Sequence, residues 1–355
     1  MPDAGHLTGV SRLGNVEGLE MKGGIELVCP AGSLPALRAA IDSGADAVYI
    51  GFRDGTNARN FPGLNFDEAE ARDGIDYAHA HGGRVFLALN VYPQPSGWEQ
   101  ATRAVDRAVA LGVDALIVAD PGLLRYAARS HPRQRLHLSV QGSATNHQSI
   151  AFYHEHFGIR RVVLPRVLSL QQVCRVVETS PVEVEVFGYG SLCVMVEGRC
   201  VLSSYVTGKS PNTCGVCSPA AAVRWEETDS GRQSRLNGVL IDRYAPGEPA
   251  GYPTLCKGRY RVGGHVFHAI EEPTSLNVLP VLPALVSSGV AAIKVEGRQR
   301  SPAYVTQVTR VLRAALDACL ADREHFVPDE EWVAALDRVS EGRCHTLGAL
   351  HRPWQ

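Results

Sequence analysis

The sequence predicts a (β/α)₈ barrel. Three observations lead there: eight apolar, β-rich runs; amphipathic stretches between nearly all of them, with apolar residues three or four apart; and no Gly-x-Gly-x-x-Gly after the first run, so the dinucleotide fingerprint of an open sheet is missing. The runs are 25–32 (IELVCPAG), 47–52, 84–91, 115–120, 135–141, 160–166, 182–190 and 291–298 (AAIKVEGR). Segments such as SLPALRAAIDSGA, Asp67 to His81 and GWEQATRAVDRAVALGV supply the helices.

Residues 1–24 are rich in Gly, carry no repeating apolar face and are expected to be a disordered extension, with Met21 a candidate true start. The first seven β/α units occupy 25–191. Between the seventh run and the eighth lie residues 191–290, far more than one helix and two turns. That stretch holds the clustered cysteines, the Gly/Pro-rich APGEPAGYPT and the helix-like PVLPALVSSG, so 192–275 is expected to be an insertion in the loop after strand seven. In such barrels this loop belongs to the C-terminal face, where sites are built. Closure follows over 276–325, where Ser301 is the expected N-cap and Pro302 the first turn of a strong helix; 326–355 adds a last helix and a tail.

Composition narrows the function. A hydrophobic content of 45% with 20% charged residues lets 355 residues bury a full core, and a net charge of −2 gives no broad attraction for nucleic acid. Nucleic acid is therefore an unlikely partner on charge alone. The basic residues are nearly all arginine, with lysine only at Lys22, Lys209, Lys257 and Lys294. No run of eighteen apolar residues occurs, so no membrane span is expected, and no basic-then-apolar leader is seen, which points to a reducing cytoplasm.

In that compartment thiols gather to hold metal more often than to form disulfides. Of the nine cysteines, Cys193, Cys200, Cys217 and Cys256 are spaced so that four thiols can converge, and Cys214 is a fifth candidate beside Cys217. Four thiolates suit zinc or an iron–sulfur cluster, and spacing does not separate the two. Cys29, Cys174 and Cys319 lie in apolar patterns and are expected in the core, while Cys344 has no assigned role.

Polar residues at the strand ends form a second pattern. Strand two is followed by Arg53, Asp54, Asn57, Arg59 and Asn60; strands three, four and five end at Asn90, Asp120 and Gln141, with Asn146 shortly after; strand six gives Arg166, strand seven Glu185 and Tyr189, and strand eight Glu296 and Arg298. Any one of them reads equally well as a cap or turn residue. Together they form a partly cationic mouth, and Arg59, Arg166 and Arg298 suit a carboxylated ligand because guanidinium binds carboxylate bidentately.

Other motifs carry less. HVFHAIEE (265–272) lacks the glutamate of a zinc protease H-E-x-x-H and reads as a strand leading into a turn. Gly-Tyr-Gly-Ser (188–191) is not a nucleophile elbow. No nucleophile–base pair and no C-x-x-x-C-x-x-C triplet appear, so a peptidase is not supported by the residues.

The run E-x-F-x-x-G-S-L-C-x-x-x-x-G-x-C-x-L-S from Glu185 to Ser203 resembles the signature of the collagenase-like peptidase family of unassigned catalytic type, family U32. ELVCPAGSLPALRAAIDSGADAVYIGF, IKVEGRQRSPAYV and TLGALHRPWQ support the likeness over residues 25–355. Within the family the chain is most similar to ubiquinone-biosynthesis members of an oxygen-independent hydroxylation pathway. That resemblance implies a 4Fe-4S cluster on Cys193, Cys200, Cys217 and Cys256, with no free iron position, for electron transfer or support. It further implies prenylated phenol substrates, prephenate as hydroxyl donor, a UbiV-like family member as heterodimer partner, and a lipid-binding sterol-carrier-type protein that presents the substrate. Glu185 and Glu296 are the candidate catalytic carboxylates; Asn57, Arg59, Asn90, Gln141, Arg166, Tyr189 and Arg298 are the candidate substrate-binding residues. The alternatives are RNA base hydroxylation, as in other members, and a zinc-stabilised scaffold without catalysis, which would be colourless where an iron–sulfur protein is brown.

Overall fold

A computed structural model describes residues 24–60, 62–193, 200–211 and 217–351. Residues 1–23 of the extension expected at 1–24, and Cys214, lie outside the described residues. Seven parallel strands come first: β1 (Glu26–Pro30), β2 (Ala47–Ile50), β3 (Arg84–Leu89), β4 (Ala115–Val118), β5 (Leu136–Leu138), β6 (Arg161–Val163) and β7 (Glu183–Ser191). They are buried on both faces, which is why they read as continuous apolar runs.

Helices α1 (Leu34–Asp42), α2 (Glu68–Ala80), α3 (Trp98–Ala110), α4 (Pro121–Ser130), α5 (His147–Phe157) and α6 (Leu170–Thr179) alternate with the strands. All but α3 start at side-chain caps, namely Ser33, Asp67, Asp120, Asn146 and Ser169. Asp120 and Asn146 are thus helix caps rather than mouth residues, accepting from the Leu123 and Ser149 amides at 2.8 and 3.0 Å. Arg53 pairs with Asp67 and Glu70, and Asp54 with Arg107, so these two are also spent on the scaffold.

The long excursion after β7 contains α7 (Val201–Thr207), a three-stranded antiparallel sheet of β8 (Val223–Thr228), β9 (Gly231–Leu236) and β10 (Val239–Tyr244), and the hairpin β11 (Tyr260–Val262) with β12 (His265–Phe267). β13 (Ser275–Asn277) returns antiparallel to the end of β7, and α8 (Leu282–Ser288) leads into β14 (Ala292–Val295). β14 pairs in parallel with both β1 and β7, which closes the eight-stranded barrel. α9 (Pro302–Ala321), capped by Ser301, packs on α1; α10 (Glu330–Asp337) follows, and β15 (His345–Thr346) lies beside β13. Among the described residues no helix is long and apolar enough to cross a membrane.

Two sets of side chains fill the barrel lumen. Val28, Ala47, Tyr49, Phe86, Ala88, Ala115, Ile117 and Ala292 form one apolar cluster. At the N-terminal ends of the strands Arg161, 1% exposed, binds Glu26 at 2.9 Å, Glu183 at 2.6 Å and Glu185 at 3.2 Å, while Lys294 binds Glu185 at 2.7 Å. Burial works against the Glu26 carboxylate, but Arg161 and Arg84 outweigh it and hold its pKa below the ordinary value.

His137 is buried in this lumen, accepting from Arg135 Nε at 3.0 Å and meeting the edge of Phe86. Burial, then Arg161 and Arg135, keep it neutral well below the usual histidine range. The folded state therefore stays unprotonated where the unfolded chain takes up a proton, so stability is present above pH of about 6.5 and falls by about 1.4 kcal/mol per pH unit below it. Melting at pH 7.5 and 5.5 is expected to show this loss, with a smaller one in His137→Gln. Equal losses in the two proteins would take His137 out of the acid response.

Candidate functional site

At the C-terminal ends of the strands the barrel opens into a cavity. Arg59, Asn90, Gln141, Arg166, Glu296 and Arg298 all line it, together with Tyr49, Ser139, Phe187 and Lys294. Four cationic side chains thus face one carboxylate, an arrangement that favours an anionic ligand.

The arginines are held from behind. Asn57, fully buried, donates to the Phe52 carbonyl at 2.6 Å, and its Oδ1 accepts from Arg298 Nη1 at 3.2 Å and from the Arg59 amide at 2.9 Å. It does not line the cavity, so its place is that of a strut between two cations rather than a substrate contact. Gly51 makes room for the Arg298 guanidinium, since a Cβ there would stand 2.6 Å from Nη1. Burial, eased by Tyr49 and reinforced by Arg59, brings Arg298 down to about 10. Arg166 donates to the Ser191 carbonyl and lies 4.3 Å from the Phe187 ring centroid. Asn90 Oδ1 accepts from the Ala58 amide at 3.0 Å, which pins the loop carrying Arg59. The Gln141 side-chain oxygen is buried at the cavity wall without a protein partner, leaving one polar contact open to a ligand.

Two expectations about β7 are corrected. Glu185, 0% exposed, lies beneath the cavity, where it is bound by Lys294 and Arg161; it does not line the mouth. Tyr189 points away from the lumen and donates to the Leu336 carbonyl at 2.7 Å. The cause is an extra residue in β7: Lys294 pairs with Phe187 but Val295 pairs with Tyr189, so the alternation that puts Glu185 and Phe187 inside reverses at Gly188. Only glycine fits there, as a Cβ would stand 2.2 Å from Ile293 Cγ2.

Lys294 was the residue that strand-end reasoning missed. It sits in the interior parity of Ala292 and Glu296, within a strand already read as AAIKVEGR, and a lone lysine in an otherwise apolar barrel strand was the available signal.

The cysteine centre adjoins this mouth. Cys193 follows β7, Cys200 caps α7 and accepts from the Ser203 amide at 3.5 Å, and Cys256 lies in the turn Leu255–Lys257; these and Cys217 are half-buried. Burial, with Cys217, Cys193 and Cys200 nearby, pushes the Cys256 thiol up to about 12 against the pull of Lys257. Burial also raises Cys217, which lies within electrostatic reach of Arg59, Cys200, Lys257 and Glu296. The four thiols therefore share one neighbourhood, and two mouth residues share it with them. Among the described residues no three His, Cys, Asp or Glu side chains stand at the spacing of a single bound ion. Four thiols in one neighbourhood, with an N–H···S bond on one of them, could hold either zinc or a polynuclear iron–sulfur group. Glu341 ties the region down by accepting from Lys257 Nζ and from Ser191 Oγ. Cys29 and Cys319 are buried core residues, Cys174 is half-buried and Cys344 is exposed.

Barrel, cationic mouth and thiol-bearing excursion define a (β/α)₈ barrel protein with a candidate ligand site at the C-terminal face of its strands. The particular family is plain from comparison: residues 32–353 match the model of peptidase family U32, and the chain belongs to that family. It is 31% identical to tRNA hydroxylation protein P1 of Bacillus subtilis (strain 168), covering 89% of this chain and 68% of that protein. It is 31% identical to tRNA hydroxylation protein P of Escherichia coli (strain K12), covering 92% and 74%. The 23S rRNA 5-hydroxycytidine C2501 synthase of the same organism is also 31% identical, over 93% of this chain and 47% of that one. A solved U32 peptidase, Mk0906, aligns with 48% of this chain and 72% of its own at 18% identity and a TM-score of 0.39.

Proposed function

We propose that this protein hydroxylates an aromatic ring held in the barrel mouth, with Cys193, Cys200, Cys217 and Cys256 of the 192–275 insertion holding a 4Fe-4S cluster. The observation that supports the reading is that Cys217 lies within electrostatic reach of Arg59 and Glu296, both of which line the cavity. The names of the relatives support hydroxylation as the reaction. When bound, the cluster would supply one-electron chemistry without molecular oxygen. The chain's own residues do the rest: Arg59, Arg166 and Arg298 bind the carboxylates of a hydroxyl donor such as prephenate, Gln141 and Asn90 orient, and Glu296 exchanges a proton at the one carboxylate of the cavity.

The finer reading is a UbiU-like subunit acting on prenylated phenol precursors of ubiquinone in the cytoplasm, as a heterodimer with a UbiV-like partner and with a sterol-carrier-type protein presenting the lipid. A narrow apolar cleft lined by Leu164, Val173, Val186, Leu192 and Leu276 shares Arg166 and Phe187 with the mouth, so hydrocarbon surface adjoins the ligand site. The names of the relatives favour a second reading, RNA base hydroxylation, although a net charge of −2 supplies little of the basic footprint that RNA needs.

One comparison decides between them. In anaerobic cells lacking the gene, quinone intermediates short of a hydroxyl with unchanged RNA nucleosides support the lipid reading; the reverse pattern supports RNA. Arg166→Ala restored to those cells is expected to keep the visible spectrum and lower product about 10- to 100-fold, the scale of one lost charge-assisted hydrogen bond. Unchanged product would remove Arg166 from the site.

A further inference from the structure

We propose that Lys294 is a catalytic amine, whose Nζ condenses with the ketone of a 2-oxo acid while Arg298 and Arg59 hold the adjoining carboxylate. The inference rests on the reading of the mouth as a carboxylate site.

Three observations carry it. Lys294 is 5% exposed, yet it lines the cavity, so what remains accessible of it faces the ligand space. Its Nζ lies 3.8 Å from the centroid of the Tyr49 ring, and Arg298 lies 5.7 Å from the same centroid. Tyr49 is itself fixed by donating to the Val295 carbonyl at 2.8 Å, so amine and guanidinium are set around one rigid ring. Such a pair matches a carboxylate bonded directly to a ketone.

The third observation concerns charge. Arg161, which reaches Glu185 at 3.2 Å, is shared with Glu26 and Glu183, so Lys294 is the cation that Glu185 has to itself. Glu185 Oε1, 2.7 Å from Nζ, is placed to take a proton from the ammonium group and expose the nitrogen lone pair toward the cavity. Burial, assisted by Arg161 and Arg298 and opposed by Glu185, already lowers the pKa of this amine below the ordinary lysine value.

The step balances without an oxidant. The nitrogen attacks the ketone carbon, a C–N bond forms as the C=O π bond breaks, and the oxygen takes up a proton to give a carbinolamine. Loss of that hydroxyl as water leaves an iminium, so ammonium and ketone have become iminium and water with no change in oxidation state. An iminium next to the carboxylate draws electrons from bonds at the neighbouring carbon and weakens them.

The whole protein, purified without oxygen, is incubated with phenylpyruvate and cyanoborohydride, digested and mapped by mass, while binding of phenylpyruvate is followed by calorimetry. Because the chain has only Lys22, Lys209, Lys257 and Lys294, every amine can be assigned. The expected result is an increment equal to the oxo acid less one oxygen atom, on Lys294 and on no other lysine, lost entirely in Lys294→Arg. Lys294→Gln, monitored by circular dichroism, repeats the control without the bulk of arginine. Binding without label on Lys294 overturns the amine and leaves the carboxylate mouth standing; neither binding nor label overturns both. Equal label on Lys209 or Lys257 also overturns the assignment.

Discussion

Cys256→Ala, purified without oxygen, is expected to lose nearly all of the iron, sulfide and brown colour, about four irons and four sulfides per chain, that the unaltered chain is expected to carry. Cys256 sits in a short turn within electrostatic reach of the other three thiols. Cys319→Ala serves as the control, since Cys319 is buried in α9, which packs on α1 and β1, and is expected to leave the metal content unchanged. Equal iron in the two variants would overturn the ligand assignment. About one zinc and no colour in the unaltered chain would make the excursion a structural element, and the hydroxylation reading would lose its physical support. Cys214→Ala beside Cys217→Ala decides which sulfur of that pair is used.

Glu185→Leu is expected to destabilise the fold by about 3–5 kcal/mol, the range for removing one partner from a buried ionic group. The substitution leaves Lys294 Nζ without its carboxylate at 2.7 Å and strips Arg161 of one of three, inside a lumen that water cannot readily enter. Glu296→Gln is the informative contrast: Glu296 is half-buried at the cavity, so it is expected to change stability by less than about 1 kcal/mol while lowering product. Denaturant unfolding of the two variants checks this. A Glu185→Leu protein as stable as the parent would mean that the lumen network is not holding the barrel together.

The relation between these two carboxylates shows how far strand-end reasoning reaches. Glu296 lies past the end of β14 and faces the cavity, as its place in AAIKVEGR implies. Glu185 lies in the third position of β7, and only the length of that strand, which continues to Ser191 to pair with β13, puts its end so far beyond. Asn57 and Asp120 show the same limit: a polar residue after a strand is equally suited to a ligand, a strut or a cap, and only its hydrogen-bond partner decides.

By itself the sequence determined the barrel, because eight apolar runs separated by amphipathic helices have few ways to bury both faces of every strand. It also determined which loop carries the thiols and where Arg59, Arg166 and Arg298 emerge, since strand direction places all such ends on one face. Tertiary structure alone decided the rest. The reversal of side-chain facing at Gly188 depends on Ile293, more than a hundred residues away, and the position of Lys294 over Tyr49 depends on β1 separating β14 from β2 in the closed barrel. Local pattern encodes how each strand alternates; which of its neighbours forces a residue out, or presses an amine against a ring, is fixed only when distant strands meet.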